Sequence, residues 1–489
     1  MATDCRLGPG PTIIAAMSAS LAQLAPHPDR LLPPDPAVRD IARRLYMTVQ
    51  DLPIISPHGH VDPQLLVDDH QFTDPATLLV TADHYVTRLL HAAGVPLGDL
   101  GVGQGPLTET QSRKAWRLVC ENWAAYRGTP VRFWLESELA QIFDIAERPS
   151  AATADSSYDQ IAACLTNSEF RPRALFRRFG IEVLATTDDP ADDLSAHRAL
   201  TEDPTWTARV IPTFRPDRYL EPDGDGWAQA VDRLGEVAGV DTGAYTGYLR
   251  ALQQRRGYFI EHGAVSADHS HLDARAEPLA DADASRIYAA ALRGDVTFAE
   301  ATAFRRHMVF EMARMSSEDG LVMTLHPGVL RDHHGPTFQA YGADRGADIP
   351  VQVEYTRALQ PLLDRFGTAP GFHLILFTLD ETVFSREIAP LAGFYPSVYA
   401  GAPWWFLDAP EAVRRFRSAV TETAGFARTS GFIDDTRAFC SIPVRHNMSR
   451  RLDSGYLAQL VAEHRMDEDE AHETAVQLVA GNPRQAFKL

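Results

Sequence analysis

Short apolar segments that run into polar clusters recur along this chain of 489 residues, separated by helical patterns. Leu52 to Ile55 leads into His58-Gly59-His60, Ile181 to Thr187 into Asp188-Asp189, and Ala208 to Phe214 into Arg215-Pro216-Asp217. Ala264 to Ser266 precedes Asp268-His269, Leu321 to Leu325 precedes His326, and Phe372 to Leu379 precedes Asp380-Glu381. Ser397 to Ala400 leads toward Trp404-Trp405-Phe406, and Gly431 to Ile433 ends in Asp434-Asp435. Strands that alternate with helices pair in parallel. Polar residues just past successive strands are what a (β/α)8 barrel displays at the C-terminal face of its sheet. The expectation is therefore an α/β fold: a distorted (β/α)8 TIM barrel with a largely helical insertion of roughly 66–178 after the first strand and a helical C-terminus.

Residues 36–489 are expected to form this barrel domain, preceded by a loosely held tail at 1–35, with Pro-rich sequence from Pro26 to Pro36. Met17 stands beside Met1 as a candidate start. Hydrophobic content of 45% supports a large core. The net charge of -19 argues against a nucleic-acid or anionic-membrane partner. An anionic small substrate would need a local cluster of arginine. No apolar run reaches the ~18 residues of a membrane span. Four scattered cysteines fit a reduced, cytoplasmic protein. Lys114 and Lys488 are the two lysines among 46 basic residues, which excludes a phosphate loop and argues against a Schiff-base enzyme. The patch Gly101 to Pro106 lacks dinucleotide spacing and reads as a loop.

In a strand, residues two apart share a face, so His58 and His60 form half of a divalent metal site. A barrel would bring His326 and Asp435 to the same end. Three imidazole nitrogens and a carboxylate suit zinc or a similar ion. The bland readings are a hydrogen-bonded core histidine for His326 and a turn or cap residue for Asp435. Arg215, Arg331 and Arg437 also lie at or beyond strand ends. Each alone reads as a surface or salt-bridged arginine; together they form a candidate carboxylate-binding cluster.

The ordered set His58-Gly59-His60, Asp83-His84-Tyr85, Thr186 to Pro190, Phe214 to Asp217 and His262-Gly263 with Asp268-His269 resembles the uronate (glucuronate) isomerases of the amidohydrolase superfamily. His326 to Arg331, Trp404 to Phe406, Asp435-Thr436-Arg437 and Asn482-Pro483-Arg484 complete the series, over about residues 36–489. The resemblance implies one divalent ion, zinc by family habit, on His58, His60 and Asp435, with His326 a further ligand or a polar contact. It implies that Arg215, Arg331 and Arg437 engage the substrate, that Trp404 walls the pocket, and that Tyr85 and His84 assist proton movement.

The implied activity is an aldose–ketose isomerisation of carbohydrate catabolism, glucuronate to fructuronate or galacturonate to tagaturonate, with no nucleotide cofactor. Moving hydrogen from C2 to C1 through an enediol needs a base, an acid and positive charge near the oxyanion. Asp435 or Tyr85, with the metal, suits the first two. The partner implied is a small uronate, and a homo-oligomer is expected. Departures are the flanks of His58-Gly59-His60, a longer stretch from Ala438 to His446 containing Pro443, and an extra segment at Pro149 to Ser157. The alternatives are a superfamily hydrolase acting on an acidic lactone or amide, and a non-catalytic sugar-acid binder. Against the hydrolase, the internal lysine Lys114 lies in a helical segment, away from any bridging position.

Overall fold

The computed structural model describes residues 23–489, and its strands are parallel wherever they flank the predicted site. One sheet has the order β1 (Ile54–Ser56), β2 (Ile181–Ala185), β3 (Arg209–Ile211). A second has the order β4 (Ser266–His269), β5 (Val322–Leu325), β8 (Leu374–Leu376), β9 (Val398–Ala400). Between β5 and β8 the chain makes an antiparallel hairpin, β6 (Val329–Leu330) with β7 (Ile349–Pro350), which no local sequence pattern announces. Backbone bonds join the two sheets: Phe214 N–H donates to Ser266 O at 3.2 Å, and Asp268 N–H donates to Phe214 O at 2.9 Å. Ser430 N–H extends the order past β9 by donating to Ala400 O at 2.9 Å. The parallel strands are buried almost without interruption because helices cover them, which is why they read as continuous apolar runs.

The strands are shorter than the apolar segments. β1 stops at Ser56, so Pro57, which has no N–H for a ladder, lies just outside it. Gly431 to Ile433 is no strand: Thr429 makes one bridge to Ala400, and Gly431 then turns with φ +74°. A Cβ at Gly431 would meet Pro483 Cδ at 2.5 Å, so this turn tolerates no side chain.

The regular structure between β1 and β2 is helical. The helix Glu109–Glu121 starts in a capping box of Thr108 and Gln111 and buries Trp116, Val119 and Cys120 on one face. The glycine patch before it is a seat rather than a ligand loop: a Cβ at Gly103, with φ +73°, would come within 2.7 Å of the Tyr341 ring. At the other end of the chain, the helical stretch breaks in two, Ser441–Ala462 and Glu468–Val476. Pro443 falls in the first turn of the former, where the missing N–H costs no helix bond. That helix packs on Pro36–Val49, whose Asp35 cap accepts from Ala37 and Val38 N–H.

Part of the expected loose tail is packed. Leu24 and Leu32 are buried, and Arg43 donates to both oxygens of Asp29, at 2.7 and 2.6 Å. Residues 1–22, with Cys5 and Met17, lie outside the described residues. Lys114 pairs with Asp99 at 2.7 Å, and Lys488 donates to Gly320 O and Gly371 O at the entries of β5 and β8.

Candidate active site

A cavity of about 650 Å³ opens where the parallel strands end, and the predicted residues His58, His60, His84, Tyr85, Arg215, His326, Arg331, Trp404, Asp435 and Arg437 all line it. His58 and His60 lie past the end of β1, not within it. Their segment bends after β1 and is held in place as Thr187 Oγ1 donates to Gly59 O at 2.9 Å and His60 N–H donates to Thr436 O at 3.1 Å. A Cβ on Gly59 would meet Ala185 O at 3.4 Å. Asp435 sits in the left-handed region at φ +44°, so strand alternation does not bring Arg437 to the pocket; the turn does.

His60 Nε2 lies 3.1 Å and His58 Nε2 3.4 Å from Asp435 Oδ1. The three potential ligand atoms fall within 4.8 Å of one another. His58 Nε2 and both Asp435 oxygens are buried without a hydrogen-bond partner. Orphaned buried acceptors of this kind are costly unless something else binds them. A divalent cation would satisfy all of them at once, and two imidazoles with one carboxylate suit a borderline ion. Burial would raise the Asp435 carboxyl, but the facing imidazoles of His58 and His60 hold it well below the ordinary range. Burial dominates at His60 and brings it down to about 4, so its imidazole is neutral and free to ligate.

His326 stands beside this trio rather than in it. Its Nε2 meets Asp268 Oδ2 at 2.9 Å, and its ring abuts Trp404 edge-on at 4.6 Å between centroids. Trp404 in turn stacks on Phe377. Asp268 is fully buried at the end of β4, and its carboxylate also faces Arg215 Nη1 at 3.6 Å. Burial would raise Asp268, but His326, His58 and Arg215 keep it well below the usual range. The segment Asp268-His269 signals this residue in the sequence only through its place at a strand end.

Tyr85 and His84 enter the cavity from the N-terminus of the helix His84–Ala92, where the Asp83 side chain caps by accepting from Tyr85 N–H at 2.8 Å. Burial raises the Tyr85 phenol well above its normal pKa, so it carries its proton at neutral pH. Beneath it lies Arg445, fully buried, with its guanidinium 5.0 Å from the Tyr85 ring and 3.9 Å from that of Trp134. Arg445 donates to Asp434 O at 3.3 Å, and His446 Nε2 meets Asp434 Oδ2 at 3.1 Å, so one helix braces the turn that carries Asp435. Both residues belong to the stretch that departs from the family pattern.

Two arginines of the lining are held by carboxylates. Arg331 donates to Asp348 at 2.8 Å and to Ser270 Oγ at 3.0 Å, and packs over Trp405. Arg437 donates to Asp344 at 2.9 Å. Asp344 and Asp348 were not foreseen: both lie on the loop that closes the hairpin, where no periodicity marks them. Lys114 does not line the cavity, so a lysine-bridged metal pair is not built.

The glucuronate isomerase family model matches residues 37–486. A uronate isomerase of Corynebacterium efficiens is 55% identical over 467 residues, covering 95% of this chain and 99% of that protein. One of Cutibacterium acnes is 52% identical over 461 residues, covering 94% and 98%. The crystal structure of glucuronate isomerase from Caulobacter crescentus superimposes with a TM-score of 0.93 at 47% identity, covering 95% of this chain and 97% of that one.

Proposed function

Because this chain belongs to the glucuronate isomerase family, we propose that its cavity interconverts an aldouronate and its 2-ketouronate, glucuronate with fructuronate or galacturonate with tagaturonate. The observation that carries the reading is one cavity lined both by a histidine–carboxylate trio and by three of the arginines, Arg215, Arg331 and Arg437. His58, His60 and Asp435 would hold one divalent ion, zinc in this reading, with His326 beside it. When bound, the ion supplies positive charge to oxygens of the reacting carbons.

The chain's own residues then have distinct tasks. Arg215, Arg331 and Arg437 receive the carboxylate and hydroxyls through charged hydrogen bonds. Asp435, held ionised, is placed to accept the C2 proton. Tyr85, held protonated and packed against the tilted ring of His84 at 4.5 Å between centroids, is placed to donate toward the oxygen that gains charge in the enediol. Trp404 excludes water from that side. No nucleotide enters the proton bookkeeping.

The architecture in this reading is a closed, distorted (β/α)8 barrel. The bond from His60 N–H to Thr436 O, which links the start of the strand series to its end, supports that closure. Among the described residues no helix is long and apolar enough to cross a membrane, and the reading places the enzyme in the cytoplasm. It also retains a homo-oligomer, supported by Leu272, Leu330, Phe338 and Ile349, each at least 39% exposed beside the hairpin; light scattering measures that state. Metal-loaded protein incubated with glucuronate and with galacturonate should yield ketose. No ketose from either sugar sinks the reading.

A further inference from the structure

Two of the arginines expected to receive a carboxylate already hold one. Asp344 Oδ2 accepts from Arg437 at 2.9 Å, while Asp344 Oδ1 faces Arg331 Nη1 at 3.6 Å. One carboxylate thus spans two guanidinium groups, one oxygen to each, inside the cavity that also contains Arg215 and His60. Burial would raise this carboxyl, but Arg437, Arg331, His60 and Arg215 hold it below its ordinary range.

The loop has no other evident use for this side chain. Asp344 makes no hydrogen bond or ion pair besides these two among the described residues, and it is 43% exposed. Its backbone is left-handed at φ +60°. Its neighbour Asp348 behaves differently. Asp348 is buried, accepts from Arg331 at 2.8 Å with one oxygen, and accepts from Asp332 N–H at 2.8 Å with the other, which fastens the hairpin. Between the two, Gly346 fits tightly against the helix of His84: an added Cβ would meet Arg88 Cβ at 3.0 Å and His84 O at 3.4 Å. The loop is therefore pinned two and four residues after Asp344, next to the point where its carboxylate meets the cavity.

We propose that Asp344 is a resident occupant of the substrate-carboxylate subsite, which a uronate must displace from Arg331 and Arg437 in order to bind. The inference rests on the isomerase reading and deepens it. Two guanidinium groups close enough to share one carboxylate repel each other when neither is paired. Asp348 already pairs with Arg331, and Asp344 adds the carboxylate that pairs Arg437 and faces Arg331 in the free enzyme. Binding is then an exchange of one carboxylate for another. A neutral aldose brings nothing to exchange and meets an anion where the uronate meets cations.

The test uses metal-loaded full-length protein, glucarate as a sugar diacid with no aldehyde to isomerise, and calorimetry alongside uronate kinetics. Asn tolerates the left-handed backbone of this position and is isosteric, so Asp344→Asn keeps the loop and removes the charge. It should bind glucarate about three- to tenfold more tightly, the loss of two half-exposed ion pairs that compete with ligand, with KM for uronate falling by a similar factor and kcat within about twofold. Asp344→Ser should move both constants the same way. Asp348→Asn should move them the opposite way, because Arg331 loses its anchor. Equal or weaker glucarate binding by both Asp344 variants, with a wild type that binds and turns over uronate, overturns the proposal and makes Asp344 a scaffold residue. A wild type that neither binds glucarate nor forms ketose overturns the isomerase reading and this inference together.

Discussion

His58, just past β1, and Asp435, in a left-handed turn, are buried, whereas the side chains of Arg331, Asp344 and Arg437 are 33%, 43% and 37% exposed. On the first side, contacts are backbone-deep: His60 is tied to Thr436, Gly59 to Thr187, and Asp434 to Arg445 and His446. On the second, charged side chains hold one another across the mouth of the cavity. Buried polar groups gain strength from a low local dielectric and lose badly when a partner goes. Exposed ion pairs are weak, screened by salt, and easily exchanged. In the proposed reading, chemistry falls to the buried groups and recognition to the exposed ones.

Removing the buried side should have the largest effect. His58→Ala with His60→Ala should abolish stoichiometric metal, measured by elemental analysis after loading, and lower kcat by roughly a thousandfold or more. Unchanged metal content in that variant would break the division outright. Next is the exposed side. Arg437→Met should reduce kcat/KM by roughly ten- to a hundredfold, the value of a charged hydrogen bond or two, without changing metal content. Arg331→Met should cost a comparable or smaller factor. Arg215→Met should also lower the melting temperature, since Asp268 would lose a buried counter-charge. Near-wild-type kinetics in all three would place the carboxylate elsewhere.

The two sides should also answer to different solution conditions. Glu138 lies fully buried in the layer behind Tyr85, and burial, then the charge of Asp83, pushes it up to about 8. Folded protein thus keeps a proton on Glu138 that unfolded chain has lost above about 4.5. Stability from this group is complete below that value and falls as pH rises toward 8, by up to about 1.4 kcal/mol per unit. Glu138→Gln cannot ionise, so its melting temperature should decline less between pH 6 and 8 than that of wild type. Equal slopes would show that Glu138 ionises freely. The smallest effect expected is on the exposed side: 0.5 M salt should raise KM for uronate about two- to fivefold with little change in kcat.

The same contrast explains what was legible beforehand. The apolar segments and the polar residues after them located the strand ends, because a parallel sheet covered by helices leaves that mark in sequence. His58, His60 and Asp435 could be grouped from it. Strand lengths could not: Gly431 to Ile433 reads as a strand, yet the packing of Pro483 against Gly431 forces a turn. Arg437 was expected in the cavity on strand alternation and reaches it through a left-handed turn instead. Asp344 lies 93 residues before the arginine it meets. Pairing of that kind depends on how two loops dock, and no local pattern encodes it. Arg445 and His446 were read as a departure from the family, and their bracing role needed the helix in place.

The placement of the lysines has a practical consequence. The side-chain amines, Lys114 on the helix Glu109–Glu121 and Lys488 at the entries of β5 and β8, are both absent from the cavity lining. Amine-reactive dyes, cross-linkers or resins would therefore modify lysine side chains at two positions outside the cavity lining. The guanidinium groups of that lining are ones such reagents spare. The enzyme can thus be labelled on its lysines without altering a side chain that lines its substrate cavity.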